Sequence, residues 1–114
     1  MSKRGDVESL NDIREAIARI KQYLSGLSYE VFLKDEKTQD AVIRNLEIIG
    51  EAAKNLSGDI KKRYPFLPWK KLAGIRDRLI HQYFGVNFDI VWNVARNELL
   101  RLQTEIKKII KDHE

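Results

Sequence analysis

Apolar residues recur every three or four positions along most of this chain, a spacing that places them on one face of a helix. The first stripe predicts an amphipathic helix over about 7–25, and its members are Leu10, Ile13, Ile17, Ile20 and Leu24. Asp6 or Ser9 can cap its start, and Gly26 can end it. A second stripe predicts a helix over about 36–56, and its members are Val42, Leu46, Ile49, Ala53 and Leu56. A short turn of helix over about 29–33 connects the two.

Two prolines interrupt the pattern after a further short helical segment over about 59–64. Pro65 and Pro68 cannot continue a helix and favour an extended path between them. A third long helix is predicted over about 69–83, because Pro68 suits a helix entrance and apolar residues again recur at helical spacing. Gly85 is placed to end this helix.

The last predicted helix covers about 88–111, and Asn87 or Asp89 can cap its start. Most of its apolar residues follow a nearly heptad spacing. Three apolar residues lie off that stripe, namely Trp92, Val94 and Leu100. Either the core wraps around this helix or a second face of it is buried in an oligomer.

These elements predict an all-α fold, because no segment alternates apolar and polar residues for long enough to make a strand. Four main helices and a short connecting helix indicate an up-and-down bundle in which the apolar stripes share one core. The 114 residues are few enough for a single domain over 1–114, and a chain of this size gains buried surface by forming a dimer.

The composition excludes several kinds of chemistry. The chain has no cysteine and 2 histidines, so disulfides, thiolate zinc sites and a cysteine nucleophile are excluded, and we expect no metal and no cofactor. The N-terminal residues lack the apolar run of a signal peptide, and no apolar stretch is long enough to cross a membrane. We therefore expect a cytoplasmic protein that does not bind membranes.

The net charge of +4 is unevenly distributed along the chain. The 23 residues over 61–83, here called the basic segment, carry seven Lys and Arg residues and one acid, a net charge of +6. The remaining residues sum to −2. Such a concentration suits a polyanionic partner, although a solvated basic face is the simpler interpretation of charge taken alone.

One part of the basic segment brings together Arg, His and Tyr side chains, at Arg76, Arg78, His81 and Tyr83. His81 can accept or donate a proton near neutral pH, and Arg76 or Arg78 can hold a phosphate. On a regular helix Arg76 and His81 lie about 140° apart, whereas Asp77 and Arg78 share a face with His81. A site that uses Arg76 and His81 therefore needs a frayed helix end, the reach of the arginine, or a second copy of the helix across a two-fold axis.

Each of these residues also has a structural interpretation. His81 can be a core or capping histidine, and Arg76 can form a structural salt bridge with Glu47 or Glu51. The two tryptophans are expected in the core rather than as stacking platforms for bases. Charge and residue type alone therefore favour catalysis less than a structural role.

The run Arg76 to Tyr83 reads R-x4-H-x-Y and resembles the signature of the HEPN superfamily, specifically of the HepT-like ribonuclease toxins. Three further segments are similar to that family in the same order along the chain. Arg44 to Ala52 resembles its second-helix motif, Pro68-Trp69 its helix entrance, and Ile90 to Trp92 the opening of its last helix. A bare R-x4-H is weak evidence, but the ordered set is specific.

The resemblance implies a metal-independent endoribonuclease that acts as a homodimer, with the two R-x4-H motifs meeting between protomers. Carried over by position, His81 is the catalytic acid or base at the ribose 2′-hydroxyl, and Arg76 stabilises the scissile phosphate. The family pairs its toxin with a minimal nucleotidyltransferase antitoxin, which can adenylylate the motif tyrosine, here Tyr83. Lys70, Lys71 and Arg78 of the basic segment then become candidate RNA contacts.

Two other functions stay open at this point. One is a HEPN module without catalytic activity that binds RNA or a nucleotidyltransferase, because a fold does not settle a function. The other is a small DNA-binding protein that uses the helix over 69–83 for recognition. Apolar residues along that helix and the lack of a helix-turn-helix partner disfavour it.

Overall fold

The fold is known from a computed structural model that describes residues 5–79 and 85–113. Within these ranges it contains helices and connecting turns. The helices are α1 (Asp6–Leu24), α2 (Tyr29–Phe32), α3 (Glu36–Asn55), α4 (Gly58–Arg63), α5 (Trp69–Ala73), α6 (Ile75–Leu79), α7 (Phe88–Asn93) and α8 (Leu99–Asp112), with a π-helical turn over Val94–Glu98 between α7 and α8.

The two predicted N-terminal helices are confirmed, and they pack against each other as α1 and α3. Gly26 follows the last turn of α1 with φ of 76°, the left-handed conformation that glycine adopts without strain. The predicted N-cap is wrong, because Gly5 occupies that position and Ser9 is buried within the helix. The Asp6 carboxylate instead accepts hydrogen bonds from the backbone N–H of Ser57 at 2.8 Å and from its hydroxyl at 2.6 Å.

The main helices form the predicted up-and-down bundle. Helix α1 packs against α3 and α8, and α3 also packs against α5 and α6. The predicted apolar stripes are buried in one continuous cluster, since Leu10, Leu46 and Ile106 are each fully enclosed. The all-α prediction is therefore confirmed for the residues that the structure describes.

The third predicted helix is broken. The structure has α5 and α6 in its place, separated at Gly74, and residues 80–84 lie outside the described ranges. Trp69 begins α5 as a buried residue whose indole N–H donates to the carbonyl of Tyr64 at 2.8 Å. Trp69, Leu72 and Ile75 are all buried. The two short helices therefore lack the long exposed face that a DNA-recognition helix needs.

The last predicted helix begins as expected at Phe88, where the Asn87 side chain accepts from two backbone N–H groups of the first turn. Its π-helical turn is not visible in the apolar pattern. Val94, which lies off the predicted stripe, is buried, so the core wraps around the helix at this point. Trp92 is partly buried against the ring of Phe32, at 5.2 Å between centroids, whereas Leu100 stays exposed.

None of the helices in the described part of the chain is both long and apolar enough to cross a lipid bilayer.

Candidate active site

Helix α6 holds the first residues of the R-x4-H-x-Y run, and its two arginines face different neighbours. Arg76 and Arg78 are separated by two positions, which corresponds to about 200° around a helix. Arg76 lies toward α3, where it lines a groove with Glu47 and Glu51. Arg78 lies toward the π-helical turn of the last helix. The two guanidinium groups therefore have separate environments.

Arg78 is held in a bidentate ion pair with Glu98. The distances are 3.0 Å from Nη1 to Oε1 and 2.9 Å from Nη2 to Oε2, and each side chain is 30% exposed. The hydrogen bond from Arg78 is the main reason that the pKa of Glu98 lies below its ordinary value, while the charges of Lys71 and Arg101 lower this pKa further. The same hydrogen bond raises the pKa of Arg78. Both groups are fully charged at neutral pH.

Arg76 has a much weaker partner. Its Nε lies 3.9 Å from Oε2 of Glu47, near the limit for an ion pair, and its side chain is 71% exposed. The sequence-based suggestion of a salt bridge to Glu47 is therefore correct, but the contact is long and solvated. The guanidinium can exchange this carboxylate for a phosphate at little cost.

The position of α6 is determined by close packing against α3. Gly50 of α3 lies so close that an added Cβ would be 3.0 Å from Cγ2 of Ile75 and 3.4 Å from the carbonyl oxygen of Leu72. Ile75 and Leu79 are themselves buried. At the end of α6 the carbonyl of Leu79 accepts a 2.8 Å hydrogen bond from the backbone N–H of Asn87. The helix that carries Arg76 is thus supported from both sides.

The other predicted site residues divide into two groups. Lys70 and Lys71, the candidate RNA contacts on α5, are exposed. His81 and Tyr83 lie outside the described residues, so the relation of His81 to Arg76 and the modification at Tyr83 stay predictions. Within the described ranges, no group of three or more His, Cys, Asp or Glu side chains is placed to hold a metal ion.

Glu98 was missed as a site residue by reasoning from the sequence. A signal for it exists, because Glu98 interrupts an otherwise apolar stripe and adjoins Leu99. A charged residue at a position that faces neighbouring helices needs a partner of opposite charge. The partner lies twenty residues earlier, and only the three-dimensional fold identifies it as Arg78.

Comparison with known proteins places this chain in a family. A family model described as ribonuclease HepT-like matches residues 13–109. The chain belongs to the HepT-like ribonuclease family. This confirms the resemblance drawn from the R-x4-H-x-Y run and its accompanying segments, and with it the enzyme class.

Two relatives of this HepT-like chain match it along nearly their whole length. A Methanocaldococcus jannaschii protein named "Putative RNase MJ0127" is 46% identical over 114 residues, covering 100% of this chain and 94% of that protein. A Thermococcus cleftensis protein named "Probable ribonuclease HepT" is 44% identical over 109 residues, covering 96% of this chain and 99% of that protein. No solved structure matches the chain significantly.

Proposed function

We propose that this chain is a metal-independent endoribonuclease toxin that acts as a homodimer of one HEPN domain over 1–114. The observation that supports this most is the contrast between the two arginines of α6. Arg78 forms a bidentate ion pair with Glu98, whereas the Arg76 side chain is 71% exposed and only weakly paired. A solvent-facing guanidinium on a rigidly supported helix is suited to bind and stabilise a scissile phosphate.

The proposed reaction is an internal transfer at phosphorus. The ribose 2′-oxygen attacks the adjacent phosphorus while His81 accepts the hydroxyl proton, and the bond to the 5′-oxygen of the next nucleotide breaks. That 5′-oxygen leaves with a proton from solvent, to which His81 returns the proton that it accepted, so the products are a 2′,3′-cyclic phosphate and a 5′-hydroxyl. Arg76 stabilises the negative charge that builds on the phosphoryl oxygens. The proposed transfer reaction requires no metal ion.

We include a homodimer in the proposal because of the geometry of the R-x4-H motif. Arg76 and His81 lie about 140° apart if the helix continues regularly. A second protomer related by a two-fold axis brings its His81 toward the Arg76 of the first, and the two motifs then form one cleft.

We further propose that a minimal nucleotidyltransferase antitoxin neutralises this chain by adenylylating Tyr83. An adenylyl group adds a phosphate beside the basic segment. Its negative charge opposes the binding of an RNA backbone by the same cations. Co-expression with such an enzyme, followed by mass spectrometry of the peptide that contains Tyr83, should show an adduct of one adenylyl group.

The central experiment is cleavage of single-stranded RNA by purified protein in the presence of a chelator. His81→Ala should abolish cleavage, and it also serves as the control for contaminating nucleases. Cleavage by wild type that persists undiminished in His81→Ala would remove His81 from the mechanism. RNA binding by wild type without any cleavage would instead support the non-catalytic HEPN module, and preferential binding of duplex DNA would revive the DNA-binding alternative.

The two arginines give a matched comparison within the same helix. Arg76→Ala should lose cleavage at least a hundredfold, the scale of one lost electrostatic donor, while unfolding free energy changes by less than about 0.5 kcal/mol. Arg78→Ala should retain more activity and lose more stability, because it leaves Glu98 unpaired. Equal losses of activity would leave the phosphate-binding role unassigned between them.

A further inference from the structure

A second groove lies on the side of α6 away from Arg76. It has a volume of about 420 Å³ and runs between the loop before α5 and the last helix. Its floor is apolar and consists of Leu72, Ile75, Val94, Leu99 and Leu102. One wall is Phe66, a large aromatic residue that is nevertheless 65% exposed. The groove is therefore shaped to accept a flat apolar group.

Neighbouring residues restrict the position of the exposed Phe66 ring. The ring of Tyr64 contacts that of Phe66 edge to face, with 6.3 Å between centroids. Pro65, directly before Phe66, and Pro68, two residues after it, restrict the backbone of this loop. An exposed aromatic ring held in this way can act as a stacking surface.

The rim of the groove carries more positive than negative charge once ion pairs are taken into account. Arg78 neutralises Glu98, and Glu105 lies 3.7 Å from Nζ of Lys108. Lys71 and Arg101 also line the groove, and their charges both lower the pKa of Glu98. Around that one carboxylate there are thus three cations. Two of them, Lys71 and Arg101, are in excess and available for an anion.

We propose that this groove binds one nucleotide of the RNA substrate. Its base lies against the Phe66 ring and the apolar floor, and its phosphate lies between Lys71 and Arg101. Stacking of a base on an aromatic ring beside basic side chains is the usual way in which proteins hold single-stranded RNA. The inference rests on the proposed function in one respect, which is that the substrate is RNA.

The location of the groove separates this role from catalysis. Arg76 lines the groove on the α3 side of α6, whereas Lys71, Arg78 and Arg101 line this one. The bound nucleotide is therefore a neighbour of the scissile phosphate along the strand and not the reacting one. Loss of the groove should weaken RNA binding and raise KM while leaving kcat largely unchanged.

The test measures binding of a fluorescein-labelled, single-stranded RNA to the His81→Ala protein, so that cleavage does not interfere. Phe66→Leu, which keeps apolar bulk and removes the ring, should weaken binding about tenfold. Phe66→Tyr should restore binding, because the stacking surface returns. Since Phe66 is mostly exposed, both variants should fold, as circular dichroism and thermal melting will show.

The cationic rim is tested in the same assay at several salt concentrations. The double variant Lys71→Ala/Arg101→Ala should bind more weakly and show a salt dependence reduced by about two phosphate contacts. The matched control is Lys107→Ala/Lys111→Ala, which removes two exposed cations of α8 that do not line the groove. The control should lose much less affinity.

A covalent probe distinguishes stacking from an indirect effect. RNA that carries 5-iodouridine should cross-link on irradiation to Phe66, and tandem mass spectrometry should locate the adduct. Unchanged affinity of Phe66→Leu, with cross-links elsewhere, would overturn the proposal. So would a loss of self-association in Phe66→Leu at unchanged RNA affinity, since the groove would then be covered by protein.

These outcomes are separable from failure of the proposed function. Protein that binds RNA through Phe66 but never cleaves it contradicts the ribonuclease proposal and leaves the subsite standing. Protein that cleaves RNA equally well with Phe66→Leu, at the same KM, supports the ribonuclease and rejects the subsite.

Discussion

The ion pair between Arg78 and Glu98 should be a major local contribution to stability. Two hydrogen bonds of 2.9 and 3.0 Å join the side chains, and each side chain is 30% exposed. An exposed pair contributes about 0–1 kcal/mol, and breaking a fully buried pair costs about 3–5 kcal/mol. The bidentate geometry and intermediate burial place Glu98→Gln between these limits, at a loss of about 2 kcal/mol.

The measurement is urea unfolding at pH 7 and fixed protein concentration, supported by thermal melting. A loss of about 2 kcal/mol lowers the Tm by about 8 °C for a chain of this length. Glu105→Gln on α8 is the matched control, because Oε1 of Glu105 lies 3.7 Å from Nζ of Lys108 and the lysine is 67% exposed. It should change the unfolding free energy by less than about 0.5 kcal/mol.

The pH dependence of the same pair has a definite sign. The hydrogen bond from Arg78 lowers the pKa of Glu98 in the folded protein, so unfolding at acid pH takes up a proton. The stabilisation is complete above the ordinary pKa of 4.5 and is lost as the pH falls through the lowered folded pKa. The stability difference between wild type and Glu98→Gln should therefore shrink as the pH falls from 7 to below about 4.

A double-mutant cycle isolates the coupling between the two side chains. Arg78→Gln, Glu98→Gln and the double variant should show a coupling energy above about 1 kcal/mol. Additive effects, or a difference between wild type and Glu98→Gln that persists undiminished at acid pH, would refute the assignment of this stability to the ion pair.

Four substitutions at three other positions test the packing and hydrogen bonding by urea unfolding. Gly50→Val should cost more than about 2 kcal/mol, since its side chain would meet Ile75 and the backbone of α5. Gly58→Ala, with open space around an added Cβ, should be neutral or stabilising by up to about 1 kcal/mol, and a similar loss in both would contradict the packing argument. Asp6→Ala should cost about 1–2 kcal/mol, because Ser57 loses two hydrogen bonds, while Asp6→Asn should recover part of the loss by accepting one of them.

The helices were predictable because their apolar stripes are long and regular. Both long N-terminal helices end within a residue or two of the predicted bounds, and Asn87 caps the last helix as its side chain predicts. Apolar stripes and capping residues are local signals, because they depend only on residues that are close in the sequence. Gly50 also allows a close approach of α3 to α5, since the carbonyl oxygens of Leu72 and Ala73 lie within 4 Å of the position that a Cβ would take there.

The features that escaped prediction depend on residues distant in sequence. The break at Gly74 lies in a segment with continuous helical periodicity, and a glycine inside such a pattern is often tolerated. Asp6 is a good capping residue, yet its carboxylate binds Ser57, fifty-one positions away. The π-helical turn over Val94–Glu98 adds a residue to one turn, which lets buried Val94, Ala95 and Leu99 all face the core. None of these can be read from spacing alone.

The cations of the basic segment are divided between two grooves in the folded chain. The segment's net charge of +6 suits a polyanionic partner, but α6 directs Arg76 to the groove beside α3 and Arg78 to the groove beside the last helix. The charge of Arg78 is neutralised by Glu98. Arg101, which lies outside the basic segment, is instead the cation near Lys71 that can contact RNA in the proposed subsite. An RNA strand that contacts both grooves must therefore cross α6, the helix that Gly50 and Glu98 hold from opposite sides. In the proposed mode of binding, the support of that helix sets the distance between the nucleotide beside Phe66 and the phosphate at Arg76.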